Sequence, residues 1–172
     1  MLAEAMDRAG ADFAGIDRIG VTVGPGSFTG LRVGLAFAKG LAIARSLPCV
    51  GIGVLEALGA SAGEGGRVLA AIDARRAQAY LQLFDAGRAL CDAEAVLLED
   101  VPGWLERQGG PAGLTIVGSG AQLLAAIAPG TRLAPLAAPD PVVLARLAAA
   151  ADPAAAPARP IYLRAPDARL PP

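Results

Sequence analysis

The chain has 172 residues, 54% hydrophobic and 18% charged, with 15 Lys or Arg against 16 Asp or Glu and a formal net charge of −1. That balance excludes a disordered chain, and it disfavours a protein that grips nucleic acid alone, since phosphate neutralisation needs a basic surplus. Histidine is absent, which removes imidazole bases, His-containing zinc sites and Ser–His or Cys–His nucleophile pairs.

Cys49 and Cys91 stand apart in apolar surroundings and read as reduced core thiols. Glu4 and Asp7 interrupt the first stretch, and no uncharged apolar run reaches the length of a membrane span. The expectation is a soluble, cytoplasmic chain without a signal peptide.

In chain order, residues 2–9 read as the tail of a helix ended by Gly10. Ile16, Ile19, Val21 and Val23 make 16–23 a buried strand. Thr29 is placed to cap the next helix, which runs to about Ser46, where Leu47–Pro48 stops it. Residues 49–54 form a second short strand and 55–62 a short helix. This order predicts parallel strands joined by a right-handed crossover. Residues 67–73, 79–84 and 88–92 read as a meander with a turn at Asp85–Gly87. A short helix near 100–108, a strand at 114–118 and a helix over 121–127 follow. Pro141 opens a last helix to about Ala151. The proline-rich tail, 152–172, is expected to be extended, with Tyr162 and Leu163 docking on the body.

Residues 24–30 read GPGSFTG. The loop is not a Walker A loop, because Lys39 lies nine residues past Gly30, and it is not GxGxxG, because Thr29 takes the third glycine position. Two readings stay open. In one, Gly24, Gly26, Ser27 and Thr29 contact a phosphate. In the other, the glycines permit positive φ, Pro25 stiffens the turn, and Ser27 and Thr29 satisfy free N–H groups at the helix start. Beyond the loop, Gly30, Gly34 and Ala38 recur at every fourth position, with Ala36, Gly40 and Ala44 on a neighbouring stripe. Each interior glycine costs about 1 kcal/mol relative to alanine, so the pattern predicts intimate helix packing, internal or with a partner.

The segment VTVGPGSFTGLRVGLAFAKGLA closely resembles the signature of the TsaB (YeaZ) family, relatives of the glycoprotease-like peptidases. AAIDARRAQAYLQLF (70–84), IVGSGA (116–121) and RPIYLRAPDARLP (159–171) agree in order and spacing. The resemblance implies an α/β, actin/Hsp70/sugar-kinase-like (ribonuclease H-like) fold of two lobes. The expected limits are 1–62 for the first lobe, 63–151 for the second and 152–172 for the tail, with the last helix and tail able to cross back.

Family members begin with a strand bearing an Asp-Thr/Ser step and a hairpin before the first helix seen here. The N-terminal lobe is therefore expected to be incomplete in this sequence, with weaker autonomous ATP binding and an exposed strand edge. The resemblance also implies a non-catalytic scaffold subunit in the formation of N6-threonylcarbamoyladenosine at position 37 of ANN-decoding tRNAs. Its implied partners are a TsaD-like transferase subunit and a TsaE-like ATPase, with tRNA met only through the complex. Separately, the self-complementary Gly/Ala stripe leads to the expectation of a homodimer in isolation, and the lack of an apolar span to that of no membrane contact. No cofactor is expected on the chain alone, and ATP or ADP is expected at the partner interface.

For partner binding, the sequence points to Gly30, Gly34 and Ala38 for close approach and to Arg32 and Lys39 as rim charges. No catalytic or metal residue is assigned, since Asp73, Asp140 and Asp167 form no paired constellation. The alternative is a stand-alone actin-like ATPase or peptidase, for which Ser27 and Asp73 are the residues to test.

Overall fold

The structure, a computed structural model, describes residues 2–63 and 65–164. The elements are α1 (Leu2–Ala9), β1 (Ile19–Thr22), α2 (Phe28–Arg45), β2 (Cys49–Ile52), α3 (Val54–Ser61), β3 (Arg67–Arg75), β4 (Gln78–Asp85), β5 (Arg88–Ala89), β6 (Glu94–Leu97), α4 (Val101–Arg107), β7 (Thr115–Val117), α5 (Ala121–Ala125), β8 (Arg132–Leu133) and α6 (Pro141–Ala150). The mixed α/β class is as expected from the sequence. β6 and β8, too short for a periodic signal, are additions to that reading.

Strands β1 and β2 pair in parallel as a small sheet, Ile19 opposite Cys49 through Thr22 opposite Ile52. Alternation decides what covers each face. Val21 and Val23 pack with Leu31 and Leu35 of α2, whereas Val50 and Ile52 pack with Leu144, Leu147 and Ala148 of α6. Gly20 faces α6 because a Cβ there would lie 2.6 Å from the Ala148 Cβ. The second sheet runs β5-β4-β3-β7-β8 with β6 also on β4. One of its faces buries Trp104, Leu105 and Leu124 of α4 and α5. The other buries Leu55 and Leu58 of α3.

The helix at 141–150, which the sequence reading grouped with residues 63–151, lies on the small sheet. Arg18, just before β1, fixes it there by donating to the carbonyls of Ala148, Ala149 and Ala151 at 3.1, 2.8 and 3.1 Å. A cation on the last carbonyls of a helix offsets both the unpaired acceptors and the helix dipole. The tail crosses back as well. Ala156 accepts from Gly51 N, Pro157 bridges Val50, and Ile161 N donates to the Val23 carbonyl at 2.7 Å. Leu163 packs against the large-sheet core beside α3. Asp167 and the end of the 159–171 motif lie outside the described residues.

The thiols of Cys49 and Cys91 are free and half-buried. Burial pushes both above their ordinary pKa, offset at Cys49 by the Lys39 charge and at Cys91 by an N–H from Leu83.

The β3–β4 turn is unusual for its sequence. Arg75, Arg76 and Ala77 all have positive φ, at 62°, 53° and 55°, where a Cβ crowds the backbone and glycine or asparagine is preferred. Ala77→Gly is expected to raise the unfolding free energy by about 1 kcal/mol, read from urea denaturation. Arg18→Ala is expected to lower it by about 1–2 kcal/mol in the same measurement.

Candidate docking helix and glycine loop

The loop is built as a hinge from strand to helix. Val23 closes the strand, with its N–H on the Ile52 carbonyl at 2.9 Å and its own carbonyl held by Ile161. Gly24 then takes φ 101°. A Cβ there would lie 2.8 Å from the Ile161 carbonyl oxygen, so only glycine lets the tail pass this close. The Gly24 carbonyl accepts from Val54 N at 2.8 Å, tying the loop to α3. Ser27 is the N-cap, its side chain accepting from Gly30 N at 3.4 Å. Thr29, expected as the cap, instead lies inside the first turn of α2 and is exposed. The helix starts two residues earlier than a Thr29 cap required.

The eighteen residues of α2 carry two apolar faces. Leu35, Ala38 and Ala42 are buried on the small sheet. On the opposite side Val33, Phe37 and Ile43 are 65%, 60% and 81% exposed, and Ala36, Gly40 and Ala44 are exposed between them. Ala38 therefore corrects the expected partner set: it is only 5% exposed and belongs to the chain's own core. Gly30 and Gly34 are exposed, on the flank of the helix rather than the centre of its outer face. Among the described residues no neighbour lies within 4 Å of a Cβ built at Gly34 or Gly40, so no packing between them offsets those glycines.

Arg32 and Lys39 are both exposed. Arg32 is already engaged: its guanidinium sits 3.8 Å from the Phe28 ring centroid, and its Nε donates to the Tyr162 hydroxyl at 3.3 Å. The Phe28 and Tyr162 rings lie 5.6 Å apart. This clamp joins the tail to the first turn of α2. Sequence reasoning missed Val33, Phe37 and Ile43, although a second apolar series offset from 31, 35, 38 and 42 was visible.

The carboxylates have structural roles. Asp73 accepts from Arg75 N at 2.7 Å and pairs with the Arg75 guanidinium at 3.1 Å. Asp140 caps α6, accepting from Val142 N at 2.7 Å. Among the described residues no group of three or more His, Cys, Asp or Glu side chains is placed to hold a metal ion.

A family model described as TsaD, tRNA N6-adenosine threonylcarbamoyltransferase, matches residues 1–120. The chain belongs to this family. Among its members, the resemblance to TsaB (YeaZ) expected from the sequence is borne out. The chain is 40% identical over 83 residues to the Escherichia coli tRNA threonylcarbamoyladenosine biosynthesis protein TsaB, a match over 46% of this chain and 36% of that one. It is 48% identical over 52 residues to the tRNA N6-adenosine threonylcarbamoyltransferase of Geobacillus thermodenitrificans, over 30% and 15% of the two chains. The chain thus spans about a third of the length of the TsaB relatives it matches.

A Pseudomonas aeruginosa crystal structure described as similar to peptidase YeaZ superposes with a TM-score of 0.75 at 28% identity. It covers 95% of this chain and 81% of that one. YeaZ of the same organism gives 0.70 at 25% identity, with the same coverage. The actin-like fold expected from the resemblance is therefore the fold found.

Gly40→Ala adds a methyl in open space at an exposed helix interior. It is expected to stabilise the isolated chain by about 1 kcal/mol, measured by thermal or urea unfolding.

Proposed function

We propose that the chain is a non-catalytic subunit in the formation of N6-threonylcarbamoyladenosine on tRNA, and that it docks a TsaD-like transferase subunit on the outer face of α2. The observation that carries this reading is the unpartnered face of Val33, Phe37 and Ile43, with Gly40 at its centre. Large apolar side chains around a glycine suit a second helix that approaches closely, with Phe37 as the anchor. Lys39 lies at the rim. Arg32 contributes through its clamp with Phe28 and Tyr162, which fixes the first turn of the helix.

Membership of the family and the TsaB likeness support the pathway. The absence of histidine from the sequence and the structural engagement of Asp73 and Asp140 support the non-catalytic role. The transferase chemistry, the contact with a TsaE-like ATPase and the meeting with tRNA then belong to the assembled complex, with ATP or ADP at the partner interface. No helix among the described residues is long and apolar enough to cross a membrane, and we place the complex in the cytoplasm. A stand-alone ATPase or peptidase finds no residue set in the loop: Ser27 is bonded to Gly30 N as a cap.

Calorimetric titration with the TsaD-like subunit tests the docking face. Phe37→Glu is expected to weaken binding about thirtyfold, near 2 kcal/mol, with Phe37→Leu close to wild type. Unchanged affinity of Phe37→Glu would sink the proposal. Light scattering of the chain alone reads whether a second copy covers the same face.

A further inference from the structure

Strand β6 is an open edge of the large sheet. Among the described residues it pairs with β4 alone, Gln78 opposite Leu97 through Leu81 opposite Glu94. The next bond of that ladder runs from the Leu98 N–H to the Ala77 carbonyl at 2.8 Å. Bonded pairs alternate in an antiparallel ladder, so Val96 and Glu94 turn their backbone groups to β4. Ala95 and Leu97 turn theirs outward. No backbone group among the described residues bonds the outward N–H of Ala95 or Leu97, or the Ala95 carbonyl. Such an edge is a template for another strand.

The same edge forms a wall of a groove of about 670 Å³, completed by α4 and the turn before it. Glu94, Glu99 and Asp100 line the groove against a single cation, Arg107. Glu94 is held in place by the Trp104 indole, whose Nε1 donates to its Oε1 at 3.2 Å. Glu99 and Asp100 are exposed and make no ion pair among the described residues. The carboxylates are not placed to share one metal ion, so they suit cationic groups spaced along a chain.

Gln78, opposite Leu97, adds a separate signal. It lines the groove, and its Oε1 is buried with no hydrogen-bond partner among the described residues. A buried acceptor without a donor is costly, and an ammonium or N–H brought by a ligand offsets that cost.

We propose that β6 takes an added strand from a partner protein, an extended segment with Lys or Arg at alternate positions and apolar residues between them. Main-chain bonds to Ala95 and Leu97 hold the segment, and its side chains select it. Side chains two apart on a strand share a face at a spacing of about 7 Å. Basic residues at that spacing meet the carboxylates on the α4 side. The apolar residue between them falls on the other face, beside Leu97, which is 39% exposed. The inference goes beyond the docking reading and does not rest on it, because β6 belongs to the large sheet and α2 to the small one.

Two end-blocked peptides, Lys-Val-Lys-Val-Lys and Glu-Val-Glu-Val-Glu, are titrated at low salt into the ¹⁵N-labelled full chain. The lysine peptide is expected to shift the amides of residues 94–99 and the Gln78 side-chain amide, and to slow hydrogen exchange at Ala95 and Leu97. Its Kd is expected to lie at least about tenfold below that of the glutamate peptide. Glu99→Gln, at an exposed position, is expected to weaken the lysine peptide about threefold. Ala95→Pro removes an outward N–H and no bond to β4, and is expected to abolish the slowed exchange at Leu97. Equal binding of the two peptides overturns the proposal. So do shifts confined to other residues, unchanged exchange at Ala95 and Leu97 in the wild-type chain, or no shift from the lysine peptide.

Discussion

A helix that is apolar on two opposite sides can bury only one of them on its own sheet. In α2, Leu35, Ala38 and Ala42 go inward, and Val33, Phe37 and Ile43 are left in water. Burial of a large apolar side chain is worth about 1.5–3 kcal/mol, so a surface that offers three of them has a strong tendency to be covered. The rest of the small sheet holds that helix in one orientation. Ser27 caps its start, Gly24 turns the chain beneath it, and the Arg32–Phe28–Tyr162 clamp fixes its first turn.

Segments distant in sequence build this support. Arg18 holds the end of α6, and Gly20 admits Ala148 against the sheet. The tail covers β2 through Ala156 and Pro157 and reaches the loop through Ile161. The edge of β2 is thus partly covered by residues 156 and 157. α3 packs Leu55 and Leu58 on the large sheet and Ala57 on the small one, so the two sheets share a wall.

Most elements were legible in the sequence because their signals are local. β-branched residues mark β1, Pro141 opens α6 at its first position, and Gly10 follows α1. The fold family was legible from the long glycine-bearing signature. The inner and outer faces of α2 were harder, since small residues lie on both and spacing alone does not say which side meets the sheet. Ala38 was assigned outward on its spacing from Gly30 and Gly34, but its place beside Leu35 and Ala42 turns it inward.

The account rests on the outer face of α2 being the surface that a transferase subunit covers. Hydrogen–deuterium exchange of the full chain, alone and mixed with the TsaD-like subunit, tests this directly. Docking on that face predicts slowed exchange at the amides of residues 33–44, because a covered helix opens less often. Slowing confined to the large sheet, with 33–44 unchanged, would contradict it.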